Sequence, residues 1–271
     1  MDPKLQRRVQ RYGWDKASST YERYWHQQLA PAQDRLLDMA GIRRGERVLD
    51  VACGTGLVTL RAADLTGHSG TVFATDISDE MVAALKGQAG RRHLTNVTAA
   101  RMDAEALDLP GGSFDVALCA LGLMYVPDPT AAMREMRRVL KTAGRAVAAV
   151  WGARARCGWA EIFPIVESRV QSDVCPMFFQ LGVADRLALT FEQAGFHNVR
   201  SESISTVLRY DSADDACGAA FAGGPVALAY SRFDRTMRES AHAEYLASIE
   251  QWRSGDAYDV PGEFVVASGI A

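Results

Sequence analysis

The chain has 271 residues, with 30 basic and 33 acidic side chains, a formal net charge of −3 and 48% hydrophobic residues. This composition fits a globular protein with a sizeable core and argues against a nucleic-acid binder, which usually carries a basic excess. No apolar run approaches the roughly 18 residues of a membrane-spanning helix, and the N-terminus lacks the apolar stretch of a secretory signal. We therefore expect a cytoplasmic protein without a membrane span and without a nucleic-acid partner.

The cysteines are scattered and form no C-x-x-C pair. This pattern supports neither a zinc site nor a disulfide framework, so we expect no metal and reduced thiols in a cytoplasmic protein. Cys53 and Cys119 are interpreted as small buried side chains. The five cysteines are Cys53, Cys119, Cys157, Cys175 and Cys217.

Apolar segments of strand length alternate with segments of helical spacing up to residue 151, which predicts a parallel sheet covered by helices. The helices between these strands are predicted over 56–65, 78–91 and 129–141. Ser78 is a predicted N-cap, and Asp128 precedes a proline at the first helical position. The predicted strands are Arg47–Ala52, Thr71–Asp76, Val97–Met102, Phe114–Ala120 and Arg145–Trp151.

The regular alternation stops after Trp151, and the remaining chain is predicted to add walls and further strands. Residues 152–182 are rich in aromatic side chains, including Trp159 and Phe163, and residues 212–253 have helical spacing. Both segments are candidates for a lid over a substrate. The other predicted elements are a helix over 185–194 that ends before Gly195 and strands at Val199–Arg209 and Glu263–Ser268.

The segment VLDVACGTGL places an acid at the end of the first strand, just before a glycine turn. Gly54 and Gly56 allow close approach of backbone to a ligand. In a dinucleotide site the order is G-x-G-x-x-G around a pyrophosphate, but here Thr59 occupies the third position. The carboxylate of Asp50 would repel a phosphate, so the turn suits a ligand that carries a positive charge.

Two further acids end the next two predicted strands. Asp76, at the end of VFATD, is placed to accept hydrogen bonds from ribose hydroxyls. Asp103, in ARMDAEALDLP, is placed to contact an adenine edge together with the next backbone amide. A ligand with a positive charge, a ribose and an adenine but no phosphate is S-adenosylmethionine.

The motifs VLDVACGTG, ATDIS followed by Met81, and RMDAEALDLPGGSFDVALCALGLMYVPDP occur in this order over about residues 45–150. With them the chain resembles the class I S-adenosylmethionine-dependent methyltransferases, in the type 11 group that includes the ubiquinone/menaquinone C-methyltransferases. The resemblance implies an α/β, Rossmann-like sheet of seven strands in the order 3-2-1-4-5-7-6, with the last strand antiparallel. It also implies helices on both faces and added lid helices.

The resemblance divides a single methyltransferase domain over 1–271 into three parts. These are N-terminal cap helices over 1–44, a cofactor-binding core over 45–151, and lid segments with the last two strands over 152–271. One departure is Ala52, where many members have glycine. The implied cofactor-binding residues are Asp50, Ala52, Gly54 and Gly56 around the methionine part, Asp76 at the ribose, Ile77 and Met81 on the adenine faces, Asp103 and Ala104 at the adenine edge, and Cys119, Ala120 and Leu121 near the sulfonium.

Methyl transfer from a sulfonium needs alignment and exclusion of water more than acid–base chemistry. The sequence accordingly shows no firm catalytic signature, and the candidate catalytic residues are His26 and Tyr21. The segment WDKASSTYERYW resembles a helix whose tyrosine covers the cofactor in relatives, which points to Tyr21. The predicted substrate pocket contains Tyr21, Trp25, Trp151, Phe178 and Phe179.

The segment Cys119-Ala120-Leu121-Gly122-Leu123 differs from the Asn/Asp-Pro-Pro-aromatic motif of enzymes that methylate base or glutamine amino groups. With an aromatic lid, this favours methylation of O, N or C on a small aromatic, quinone-like or polyketide-like acceptor. Three alternatives stay open. They are an arsenite methyltransferase using Cys157, Cys175 and Cys217, a tRNA or protein methyltransferase, and a non-catalytic S-adenosylmethionine-binding protein.

Overall fold

A computed structural model describes residues 2–170 and 178–271. It begins with one long helix, α1, over Pro3–Ala40. The side chain of Asp2 accepts a hydrogen bond from the Lys4 amide at 2.9 Å, and Gly41 ends the helix with φ +51°. The prediction of several cap helices in this region is wrong, because Pro31 lies inside α1 without ending it.

The strands form one sheet in the order β3-β2-β1-β4-β5-β7-β6. The last strand, β7, is antiparallel to both of its neighbours, which confirms the predicted order. A further two-residue strand, Arg253–Ser254, pairs with β7. The seven longer strands are β1 Arg47–Val51, β2 Thr71–Asp76, β3 Val97–Arg101, β4 Phe114–Ala120, β5 Leu140–Trp151, β6 His197–Tyr210 and β7 Ala257–Ile270.

Helices connect the strands, and their predicted caps are present at two of them. The hydroxyl of Ser78 accepts from the Met81 amide at 3.1 Å, and Asp128 accepts from the Ala131 amide at 3.0 Å. The helices after α1 are α2 Thr59–Thr66, α3 Asp79–Arg91, α4 Pro129–Val139, α5 Ile162–Glu167, α6 Arg186–Gln193, α7 Ala213–Cys217, α8 Ala227–Tyr230 and α9 Arg235–Ile249. Single helical turns lie at Leu123–Tyr125, Arg154–Arg156, Gln180–Gly182, Gly218–Ala222 and Glu250–Trp252.

The helical region predicted over 212–253 is interrupted. A π-helical turn follows α7, and the chain then bends at 223–226 before α8. Pro225 has no amide hydrogen to continue a helix, and Gly224 before it adds backbone freedom. The bend brings Gly224 and Pro225 to the cavity described below.

The parallel part of the sheet places the predicted acids at one edge. Asp50 pairs in register with Ala74 of β2 and Leu118 of β4, so β1 lies in the middle of the parallel strands. Strand order reverses between β1 and β4, and ligands of open α/β sheets bind at the carboxyl ends of strands near such a reversal. In the part of the chain that the structure describes, no helix is long and apolar enough to cross a membrane.

Candidate functional site

A cavity that is partly open to solvent lies at the carboxyl ends of the parallel strands. Its lining comes from the strand ends and the segments that follow them, from α1, from the start of α3 and from the bend before α8. The lining residues are Arg7, Gln10, Trp14, Tyr21, Trp25, Leu29, Ala52, Gly54, Thr75, Asp76, Ile77, Met81, Met102, Asp103, Ala104, Ala120, Leu121, Gly122, Tyr125, Val126, Pro127, Trp151, Trp159, Gly224 and Pro225.

The glycine turn after β1 opens onto the cavity at one of its two glycines. Gly54 has φ +54°, and Tyr21 lies over it, 3.7 Å from the position that a Cβ would take. Gly56 does not line the cavity. A Cβ at Gly56 would lie 2.3 Å from Cδ1 of Leu85, so this glycine lets α3 pack against the turn rather than admitting a ligand.

The side chain of Asp76 borders the cavity and is fixed by backbone amides. Its two carboxylate oxygens accept hydrogen bonds from Gly54 and Ser78, each at 2.9 Å. Burial raises the pKa of Asp76 to about 6, against the lowering effect of these amides. A carboxylate held in this way keeps lone pairs for hydroxyl donors, which fits a ribose.

Asp50 lies behind the glycine turn and does not line the cavity. Its Oδ2 accepts from the Thr59 hydroxyl at 2.6 Å, whereas its Oδ1 has no hydrogen-bond partner. Burial raises the pKa of Asp50 to about 7, and the negative charge of Asp76 contributes to the rise. The structure therefore places Asp50 as a buried carboxyl group beside the cavity, not as part of its wall.

The end of β4 contributes backbone and small side chains. Ala120 and Leu121 line the cavity, but Cys119 is fully buried and does not. Burial raises the pKa of the Cys119 thiol to about 12, so the thiol stays protonated at neutral pH. This agrees with its interpretation as a small packing residue.

The other end of the cavity holds the residues predicted at the adenine. Ile77, Met81, Asp103 and Ala104 all line it. Arg7 of α1 lies 2.7 Å from the carboxylate of Asp103. Sequence reasoning missed this contact, because a group of arginines near an N-terminus usually indicates a solvated helix face.

Helix α1 forms one long wall of the cavity, and only part of this wall was predicted. The residues of α1 in the wall recur at intervals of three, four and seven, which keeps them on one helical face. That spacing is the signal that could have found them. The α1 residues in the wall are Arg7, Gln10, Trp14, Tyr21, Trp25 and Leu29.

Three tryptophans form the wall at the β5 end of the cavity. The ring centroids of Trp25 and Trp151 are 6.0 Å apart, those of Trp25 and Trp159 are 6.1 Å apart, and those of Trp151 and Trp159 are 4.8 Å apart. Phe178 and Phe179 do not line the cavity, contrary to expectation. Each lies 5.7 Å from Trp159, between ring centroids, and supports that ring from behind.

Neither candidate catalytic residue is placed as a general base. His26 is exposed on α1 and does not line the cavity. Tyr21 does line it, but burial, with a further contribution from the charge of Asp76, raises the pKa of its phenol above the ordinary value. The phenol is therefore protonated at neutral pH.

The cysteines of the arsenite alternative do not meet at the cavity. Cys157 and Cys217 are buried, neither lines it, and burial raises the pKa of each thiol to about 12. Cys175 lies outside the described residues. Within 2–170 and 178–271 no group of three potential metal ligands is present.

Comparisons with known proteins agree with this geometry. Residues 48–144 match a family model described as a methyltransferase domain. The chain is 34% identical over 132 residues to aklanonic acid methyltransferase DauC of Streptomyces sp., covering 49% of this chain and 60% of DauC. It is 43% identical over 110 residues to the ubiquinone/menaquinone biosynthesis C-methyltransferase UbiE of Azotobacter vinelandii, covering 40% of this chain and 44% of UbiE.

The chain thus spans about half the length of these curated relatives. Among solved structures, the YcgJ protein of Bacillus subtilis superposes with a TM-score of 0.62 at 18% identity, covering 89% of this chain and 98% of YcgJ. At this identity the likeness concerns the fold alone.

The cavity also fits the methyl donor of the matched family. Arg7 is the single basic side chain in the described lining, and it is already paired with carboxylates. The carboxylate of Asp76 makes the strand ends negative, which suits a sulfonium nucleoside. The sheet order, the match of residues 48–144 to a methyltransferase domain and the geometry of the cavity agree with one another.

Proposed function

We propose that the protein transfers a methyl group from S-adenosylmethionine to O, N or C of a small aromatic, quinone-like or polyketide-like acceptor. One observation carries the proposal. A single cavity runs from the acid-bearing ends of β2 and β3 to the wall of Trp25, Trp151 and Trp159. Large aromatic walls favour flat, apolar ligands, because stacked and edge-to-face contacts add to the burial of area.

The relatives support a small organic acceptor. One is named for aklanonic acid and the other for ubiquinone and menaquinone biosynthesis. Both matches cover only part of each relative, so the acceptor class of this chain is a proposal that rests on the cavity as well.

We assign the ends of the cavity as follows. Asp76 accepts hydrogen bonds from the ribose, Ile77 and Met81 pack against the adenine, and Asp103 accepts from its amino group. Gly54 lies at the methionine part, where the backbone approaches the ligand most closely. The acceptor then lies between the end of β4 and Trp151.

When bound, S-adenosylmethionine supplies a methyl group already activated on a positively charged sulfur. The side chains of this protein then have to align the acceptor and remove water from it. Trp25 and Trp159 are almost wholly buried and fix the acceptor plane. Tyr21, protonated and lying over Gly54, closes the cavity from the α1 side.

The proposal is tested by incubating the purified protein with methyl-labelled S-adenosylmethionine and a panel of phenols, hydroxyquinones and aromatic acids. We expect S-adenosylhomocysteine and a labelled product with at least one member of the panel. Asp76→Ala is expected to weaken S-adenosylhomocysteine binding about 100-fold in calorimetry, since a buried hydrogen-bonding carboxylate is lost. Asp64→Ala is the matched control, because Asp64 lies on α2 and pairs with Arg92 at the surface.

Three outcomes would contradict the proposal. Unchanged affinity in Asp76→Ala would remove the ribose assignment. Labelling of bulk tRNA, a protein or As(III) in place of the panel would replace the acceptor class. Tight binding of S-adenosylhomocysteine without any methyl transfer would favour the non-catalytic alternative.

A further inference from the structure

The carboxylate of Asp103 is held at both of its oxygens. Oδ1 accepts from the amide of Glu105 at 3.0 Å, and Oδ2 lies 2.7 Å from Nε of Arg7. The side chain is 29% exposed and lines the cavity. Its orientation is thus set by one contact within its own loop and one contact from α1.

Arg7 is itself fixed by a second carboxylate. Its Nε and Nη2 atoms lie 2.9 and 2.7 Å from Oε2 of Glu105, whose side chain is only 6% exposed. The other oxygen of Glu105 accepts from the amide of Asp128, the N-cap of α4, at 3.0 Å. The guanidinium therefore bridges two anchored carboxylates, an arrangement more ordered than an ordinary exposed ion pair.

Helix α1 brings Arg7 to this position, and other contacts hold the helix there. Nη2 of Arg11 lies 2.5 Å from the carboxylate of Asp79, and Asp15 accepts from the hydroxyl of Ser78 at 2.6 Å. Asp79 and Ser78 belong to the start of α3, directly after β2. The contact between Arg7 and Asp103 therefore forms only when α1 lies across the cavity.

We propose that Arg7 is a positioning residue for base recognition, which orients the carboxylate of Asp103 toward the 6-amino group of adenine. The inference rests on the proposed function, which places the adenine of S-adenosylmethionine at Asp103. A fixed carboxylate accepts from an amino group and repels a carbonyl oxygen, so it discriminates strongly between the two. Arg7 acts through Asp103, by preventing the carboxylate from turning away from the base.

The test compares S-adenosylhomocysteine with S-inosylhomocysteine, in which a carbonyl group replaces the 6-amino group and N1 carries a hydrogen. Dissociation constants are measured by calorimetry for the unmodified protein, Arg7→Ala, Arg7→Lys and Arg11→Ala. We expect Arg7→Ala to weaken binding of the adenosyl ligand about tenfold and of the inosyl ligand about twofold, which reduces the discrimination about fivefold. Arg7→Lys is expected to retain part of the discrimination that Arg7→Ala loses.

Arg11→Ala is the matched control, because it removes a contact of α1 without touching Asp103. Arg11→Ala is expected to weaken the binding of both ligands by the same factor, as a merely structural loss would. Circular dichroism and thermal unfolding establish that each variant is folded. Unchanged discrimination in Arg7→Ala, or an equal loss of discrimination in Arg11→Ala, would overturn the inference. An unmodified protein that binds neither ligand would contradict the proposed function and the inference with it.

Discussion

The cavity has two sides that are built in different ways. The floor consists of strand ends and the turns that follow them, all within residues 50–122, and its polar contacts join backbone amides to acids nearby in the sheet. The wall joins α1 to Trp151, Trp159 and the bend before α8, which are far apart in the chain. The floor is therefore encoded locally in the sequence, whereas the wall is assembled by tertiary packing.

The largest effect is expected from breaking the wall. Trp159 is almost fully buried and contacts Trp25, Trp151 and the phenylalanines behind it. Trp159→Ala should lower the free energy of unfolding by about 4 kcal/mol, from lost burial and the cavity that remains. If the floor is independent of the wall, the affinity for S-adenosylhomocysteine should change less than about threefold.

The matched control is Phe191→Ala, a fully buried ring that packs against Phe196 and does not line the cavity. It should cost a similar free energy of unfolding in thermal and denaturant melts. Only Trp159→Ala should also raise the KM of the acceptor. Equal effects of both variants on the acceptor would mean that the tryptophans are core and not wall.

The difference between floor and wall also explains what the sequence could predict. The acids and glycines of the floor follow strands whose apolar runs are unambiguous, so Asp76, Gly54 and Asp103 could be placed at one sheet edge in advance. Gly56 was also expected to make room for a ligand. The sequence does not show that Leu85 of α3 occupies the space that a Cβ at position 56 would need.

The wall was predicted only in part. Trp25 and Trp151 were expected in it, but Phe178 and Phe179 lie one layer behind, since aromatic composition does not tell which ring faces the cavity. Arg7 could not be separated from a solvated arginine without knowing that Asp103 lies opposite. The strand order followed from the family resemblance, and the start of α4 was predictable from Asp128 and Pro129. The end of α4 was not, because β5 begins at Leu140, inside the predicted helix. The broken helices after residue 212 depend on packing against α1.

A second prediction concerns the charge of the floor and has a defined dependence on pH. Burial raises the pKa of Asp50 to about 7 from its ordinary value of 3.8, so the folded state binds this proton more tightly than the unfolded state. The contribution of Asp50 to stability is therefore greatest below pH 4 and is lost as pH rises through about 7. Asp50→Asn replaces the carboxyl group by an amide that does not ionise, so this loss of stability with rising pH should disappear. The substitution should raise the free energy of unfolding and Tm at pH 8 and give no gain near pH 4.

Asp115 is the matched control with the opposite sign. It pairs with Lys141 at 2.6 Å, and hydrogen bonds from this lysine and from the Arg47 amide lower the pKa of the carboxyl despite partial burial. Its contribution is present above the ordinary pKa and is lost as pH falls, so Asp115→Asn should destabilise most at neutral and higher pH. Thermal melts between pH 4 and pH 8 compare the two variants. A destabilised Asp50→Asn at pH 8 would show that the Asp50 charge has a compensating partner.

The smallest effect is expected at Ala52, where the floor uses a left-handed backbone without a glycine. Ala52 has φ +57°, which costs a residue with a Cβ about 1 kcal/mol. Ala52→Gly relieves this strain but increases the entropy of the unfolded chain by a similar amount of free energy. We therefore expect the free energy of unfolding to change by less than about 0.5 kcal/mol, with unchanged affinity for S-adenosylhomocysteine.

A larger loss of stability is expected at Gly122, which packs against Ala52. A Cβ at Gly122 would lie 2.4 Å from the Cβ of Ala52 and 2.9 Å from Sγ of Cys119. Gly122→Ala should accordingly cost about 2 kcal/mol, since neither neighbour can move without shifting a strand end. Denaturant melts of both variants decide the point. If Ala52→Gly were the more damaging change, the methyl group of Ala52 would itself hold the turn in place, and the floor would depend on side-chain packing as much as the wall does.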